Sequence, residues 1–175
     1  MISQDRSVGV CNEDKFLTDD ATTFITKWLQ LKEKVIIVVT AQHREALLKT
    51  VSPEQMGHDN LMFFNADEQL CKIMVNDWPS ELRLRNVVVS MIGQANQNGR
   101  VRIYGEMAFV LWTKGYTRAA IRLEELWNKL AMEQPDALLY THPLSKFIGG
   151  KNRDSLLAVS QPHTHVNNLS SAVSG

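Results

Sequence analysis

A three-layer α/β fold, with a mostly parallel sheet covered by helices on both faces, is what this sequence predicts. Three observations carry that prediction. Residues 35–40, Val-Ile-Ile-Val-Val-Thr, form a β-branched run with no polar alternation, as in a strand buried on both faces. Similar short apolar runs recur at 61–65, 101–104 and 137–141. Between them lie segments with apolar residues at helical spacing, the alternation expected of strand–helix–strand units.

Taken in order, residues 7–11 read as a short first strand, followed by a polar turn at 12–15. From 16 to 31, Phe16, Leu17, Ala21, Phe24, Ile25, Trp28 and Leu29 keep helical spacing. The strand at 35–40 leads into a helix over 42–50, and Pro53 and Gly57 mark the next connection. The strand 61–65 precedes a helix over 66–75 with Asp67 near its positive end. Residues 77–80, Asp-Trp-Pro-Ser, signal a helix start with Ser80 as cap. Apolar positions from Leu82 to Ala95 support a helix over 81–97, stopped by Asn96-Gln-Asn-Gly99. A strand at 101–104, a helix over 106–114 ended by Gly115, a helix over 117–133 and strands at 137–141 and 156–159 complete the pattern.

With 175 residues, the chain fits one domain spanning 1–166, followed by a small, polar tail or linker at 167–175. Nineteen basic and nineteen acidic residues cancel, which argues against nucleic-acid or anionic-membrane binding. Two cysteines without a CxxC spacing point to a reducing compartment rather than a disulfide framework. The first residues lack the apolar core of a signal peptide, and no run approaches the ~20 residues of a membrane span. Cytoplasmic localisation is the expectation.

The most informative segment is Arg102-Ile-Tyr-Gly-Glu-Met107, followed by Leu123-Glu-Glu-Leu-Trp-Asn128 and Leu138-Leu-Tyr-Thr-His-Pro143. With Leu111-Trp112, Gly115, Phe147, His163-Thr-His165-Val166 and the strand 35–40 followed by His43-Arg44, these segments resemble the MEDS domain. That is the methanogen/methylotroph sensory domain of a dichloromethane-responsive regulator and of bacterial sensor histidine kinases. The likeness runs from about residue 8 to residue 166 and departs at its start. Where the family carries a His and then Phe-Tyr before the acidic turn, this chain has Ser7-Val-Gly-Val-Cys-Asn12.

The resemblance implies a fold similar to that of the recombinase and circadian-clock ATPases. A nucleotide hydrolase would need G-x-x-x-x-G-K-[S/T] after the first strand. Here the one Gly-Lys is Gly150-Lys151, with Ser145 in place of the first glycine and Asn152 in place of the hydroxyl residue. Without that P-loop, ATP hydrolysis is not expected, and no catalytic residue, cofactor or resident metal is assigned.

Ligands of open α/β sheets collect at the carboxyl ends of the strands. The lining expected there is Cys11, Asn12 and Asp14 from the first turn, then Thr40, Asn65, Asp67, Glu106, Thr141 and His142. Glu106 leads this set, either contacting a ligand or charging the N-terminus of the helix that follows it. Arg102 is expected to pair with Glu106 or with an acid of the Glu124-Glu125 helix. Tyr104, Glu124 and Trp127 are read as structural, with Trp112, Leu123 and Trp127 in the core. Cys71 is expected to be buried, and Cys11 is the better thiol candidate. His142, His163 and His165 suit hydrogen bonding at the sheet end better than a metal set, since no acid or thiol lies near them in sequence.

The expected function is non-catalytic: binding of a small effector, relayed as part of a two-component system to a histidine kinase or transcription regulator, in the same chain or in trans, with a possible homodimer. An interaction scaffold with a degenerate ligand site is the alternative, motivated by the missing His and Phe-Tyr. A nucleotide- or metal-dependent enzyme comes third.

Overall fold

The structure is a computed structural model that describes residues 2–95, 100–134 and 137–141. It is a three-layer α/β architecture. Four parallel strands, β1 (Lys34–Val39), β2 (Leu61–Asn65), β5 (Val101–Gly105) and β6 (Ala137–Thr141), lie in the order β2-β1-β5-β6. Seven helices surround them among the described residues: α1 (Ile2–Gln30), α2 (Ala41–Thr50), α3 (Pro53–Met56), α4 (Ala66–Ile73), α5 (Glu81–Ala95), α6 (Met107–Thr113) and α7 (Thr117–Glu133). A two-stranded antiparallel hairpin, β3 (Met74–Val75) with β4 (Trp78–Pro79), projects between α4 and α5.

Strand β1 shows why the sheet is a middle layer. Val35, Ile37 and Val39 pack with α1 and α2 residues such as Ile25 and Leu47. Ile36 and Val38 point the other way, into the apolar side chains of α4 to α7. All five are at most 2% exposed. Each such side chain contributes about 1.5–3 kcal/mol relative to exposure, which no polar face could match. In β5 the same alternation sends Ile103 toward α4–α7 and Tyr104 toward α1.

The register pairs Ile36 with Met62 on one side and with Ile103 on the other. The chain leaves β1, winds to β2 at one edge, and later returns to the opposite side of β1 as β5. The neighbouring carboxyl ends of β1 and β5 therefore form the topological switch point of the sheet.

Three local expectations are corrected. Residues 7–11 are helical and form part of the 29-residue α1, so neither a first strand nor the turn at 12–15 exists. No proline interrupts this segment, and extending a helix adds one hydrogen bond per residue fixed. The helix expected over 66–75 ends at Ile73, because Asn76 and Asp77 adopt positive φ (50° and 61°) and turn the chain into the hairpin. Asn and Asp tolerate that conformation better than other non-glycine residues. The short α3 was not anticipated; Pro53 opens it, and the Ser52 side chain accepts from the Gln55 N–H. Ser80 does cap α5, its hydroxyl accepting from the Arg83 N–H at 3.3 Å. The expected strand at 156–159 and the tail lie outside the described residues.

Candidate functional site

Glu106 follows β5 directly, and its backbone N–H donates to Val38 O at 3.1 Å, extending the β1–β5 ladder by one rung. Its side chain then turns back to β1. The Thr40 N–H donates to Glu106 Oε1 at 2.7 Å. His43 Nδ1 lies 2.8 Å from Oε1 and 2.7 Å from Oε2. One carboxylate thus joins the ends of two adjacent strands and the first turn of α2. An ionised Glu106 requires Nδ1 to be the proton-bearing nitrogen of His43.

The local sequence explains why His43 arrives there. Thr40 is the cap of α2, its hydroxyl accepting from the His43 N–H at 3.2 Å. The capped turn directs the His43 ring inward, where it also approaches the Phe109 ring of α6 with centroids 6.4 Å apart. Burying a carboxylate costs several kcal/mol unless it is hydrogen-bonded and paired. Glu106 is 2% exposed and His43 6%. The backbone donor, the imidazole and the positive end of α2 together meet that cost.

Glu106 stands at the N-cap position of α6 but makes no side-chain hydrogen bond to that helix. Its side-chain hydrogen bonds go to Thr40 and His43 at the start of α2. His43 lies outside the site residues expected from sequence; its spacing of three from Thr40, the N-cap-to-N3 relation, is the sequence signal that points to it.

Two cavities flank the pair. On the β2 side, a crevice of about 280 Å³ is lined by Thr40, Arg44, Leu48, Phe63, Phe64 and Asn65 among others. Arg44 lies over the Phe63 ring at 5.1 Å. On the β6 side, Gly105, Glu124, Trp127 and Thr141 surround a narrow space of only about 10 Å³. The Trp127 Nε1 there is buried with no hydrogen-bond partner among the described residues.

Of the expected lining, Thr40 and Asn65 share the first cavity, Thr141 lines the second, and Glu106 lies between them. Asn65 also caps α4, accepting from the Glu68 N–H at 3.1 Å. Asp67 lines neither cavity and binds Lys114 at 2.8 Å on the surface. Cys11, Asn12 and Asp14 belong to α1, where the backbone alone is described, rather than to a loop. His142, His163 and His165 lie outside the described residues. Among the described residues, no three His, Cys, Asp or Glu side chains converge as a metal site, and no helix is long and apolar enough to cross a membrane.

The structural set is partly reassigned. Arg102 pairs with Glu33 rather than Glu106 or the Glu124-Glu125 helix, its Nε and Nη2 each donating at 3.2 Å. The parallel β5 points Arg102 away from the switch point, over the Trp28 ring at 4.0 Å. Tyr104 stacks on Tyr140 with centroids 5.7 Å apart and contacts Phe24. Burial pushes its phenol well above the ordinary value, helped by the charges of Glu106 and Asp20 and by Tyr140. Leu123 and Trp127 are core residues and Trp112 packs at the core's margin. Cys71 is exposed, not buried, because α4 buries Ala66, Gln69, Leu70 and Ile73 instead.

Comparison with known families gives a match over residues 9–156 to the family described as MEDS, the "MEthanogen/methylotroph, DcmR Sensory domain". Neither a curated protein nor a solved structure matches the chain significantly.

Proposed function

The chain belongs to the MEDS family of sensory domains, and from that premise we propose that it binds a small, weakly polar effector beside the switch point and passes the binding event to a signalling partner. The observation that carries this reading is the buried Glu106–His43 pair beneath the β1 and β5 carboxyl ends, next to the 280 Å³ crevice. That crevice is at the small end of ligand-pocket sizes, mostly apolar, with a few polar groups to orient a guest.

Thr40 links guest and protein. It lines the crevice, caps α2 and donates to Glu106. A guest that draws on the Thr40 hydroxyl or crowds the Asn65 cap shifts the hydrogen bonding of the pair, and with it the packing of His43 on Phe109 in α6. The response is a shift between two packings, favoured by the guest's differential affinity. The receiving partner in this reading is a histidine kinase or transcription regulator, in the same polypeptide or in trans. No chemical step is assigned to the pair: its role is to bind and to couple, without catalysis or a cofactor.

Native mass spectrometry of gently purified protein, with a denatured control, tests this. The expected result is a stoichiometric small molecule that Glu106→Gln weakens at least tenfold. A protein that remains empty, and whose partner engagement Glu106→Gln leaves intact, would overturn the sensor reading in favour of a scaffold. The replaced N-terminal His and Phe-Tyr of the family pattern favour that second reading.

A further inference from the structure

Helices α4 and α5 pack against one another beside the edge strand β2 and leave a groove of about 300 Å³ between them. It is separate from the Glu106–His43 pair and lies on the face of the sheet opposite α1 and α2. Three properties of this groove call for a ligand.

The first is charge. Lys72 of α4 and Arg83 of α5 both line the groove, and no carboxylate does. Neither cation has an ion-pair partner among the described residues, whereas Arg85, Arg102, Lys114 and Lys129 are all paired. In a chain whose formal charges cancel, two free cations at one acid-free cavity form a local positive site.

The second is Gln69. The residue is 4% exposed as a whole, and its carboxamide, which hydrogen-bonds no other described residue, is left open to the groove. A guest in the groove can take hydrogen bonds from, and give them to, that amide.

The third is the layout of α5. Arg83, Asn86, Ser90 and Gln94 fall at intervals of three and four, so they stand on one face of the helix above Val87 and Met91. With Phe64 on the sheet side, the groove has an apolar floor, a row of polar groups along one wall, and cations at Lys72 and Arg83.

We propose that this groove is a second ligand site, which takes a small organic anion: a carboxylate held by Arg83 and Lys72, attached to an apolar body lying on Phe64 and Met91. Arg83 offers a planar fork that matches a carboxylate, and Lys72 a mobile point charge. The Gln69 and Asn86 amides supply donors and acceptors for the remaining polar atoms of the guest. Phe64 also lines the crevice at Thr40, so the two sites share one wall.

Benzoate is the probe, with benzyl alcohol as its uncharged counterpart, titrated into the full chain while the side-chain amide resonances of Gln69 and Asn86 are followed by NMR. Benzoate is expected to shift both signals saturably, and benzyl alcohol at the same concentrations is not. Lys72→Gln combined with Arg83→Gln, two exposed positions with no partner to lose, is expected to weaken benzoate at least tenfold while the remaining spectrum stays in place. Glu106→Gln is expected to leave it unchanged, which separates this site from the crevice. Absence of a saturable shift, equal shifts from benzyl alcohol, or unaltered affinity in the double variant would overturn the assignment. Should the double variant lose its fold, Gln69→Leu in the same titration decides, with a weakening of threefold or more expected and no change contradicting it.

Discussion

Glu106 and His43, 63 positions apart in the chain, meet at 2.7 Å with side chains 1% and 8% exposed, and the Thr40 N–H completes the contact at the same distance. The pair ties β5 to the start of α2 across the switch point. Its strength should appear when either partner is removed. Glu106→Gln keeps an acceptor for Thr40 but meets His43 with a neutral amide, and should cost about 1–3 kcal/mol. His43→Ala leaves a buried carboxylate with the Thr40 N–H as its remaining donor and should cost more, about 3–5 kcal/mol. Urea denaturation of both single variants and the double variant checks this. Strictly additive effects would deny the coupling.

Gly105 lies directly against Trp127. A Cβ at this position would stand 3.2 Å from two carbons of the indole ring, which is itself buried and cannot withdraw. Gly105→Ala should therefore cost about 1–3 kcal/mol through overpacking. For a chain of this length that corresponds to a Tm lower by about 2–4 °C per kcal/mol. An unchanged Tm would mean that α7 gives way.

The alkaline limb of stability should report Tyr104. Burial first, then the charges of Glu106 and Asp20 and the neighbouring Tyr140, hold its phenol well above the ordinary 10.0, and burial raises Tyr140 as well. A pKa raised in the folded state favours the protonated form there. The contribution is complete below about pH 10 and is lost as pH climbs from the unfolded value through the folded one. Denaturation midpoints should fall above pH 10, and Tyr104→Phe should flatten that fall. Absorbance titration near 295 nm should show Tyr104 ionising only with unfolding.

Arg102 holds the far end of β5 to the segment after α1. Its fork meets both Glu33 oxygens at 3.2 Å while its guanidinium lies over Trp28. Arg102→Lys keeps the charge but loses the fork and the flat stacking surface, and should cost about 1 kcal/mol. A double-mutant cycle with Glu33→Gln separates the ion pair from the stacking. The ion-pair part should shrink in 0.5 M salt, by screening.

The strands and most helices were legible because burial imposes a simple pattern on them. Val35 to Val39 could only be a strand covered on two sides, and the Leu123–Trp127 spacing could only be one buried helix face. Residues 7–11 were misread because a five-residue window with Val8 and Val10 suits strand and helix alike. Only the uninterrupted continuation of α1 distinguishes them. Cys71 was misjudged for a related reason: the buried stripe of α4 runs through Ala66, Gln69, Leu70 and Ile73, and Gln69 holds a place that an apolar residue would normally take.

By itself the sequence determined the layered α/β class, the strands flanking the switch point, the family, and the position of Glu106 at a strand end. Those properties follow from periodicity and local chemistry, which neighbouring residues carry among themselves. Tertiary structure decided that Glu106 meets His43 and Thr40, that Arg102 turns to Glu33 instead, and that Gln69, Lys72 and Arg83 share a groove. Each of these depends on which strands are neighbours and how the helices lie against them. Order and packing of that kind arise from the collective burial of the core, and no spacing along the chain encodes them.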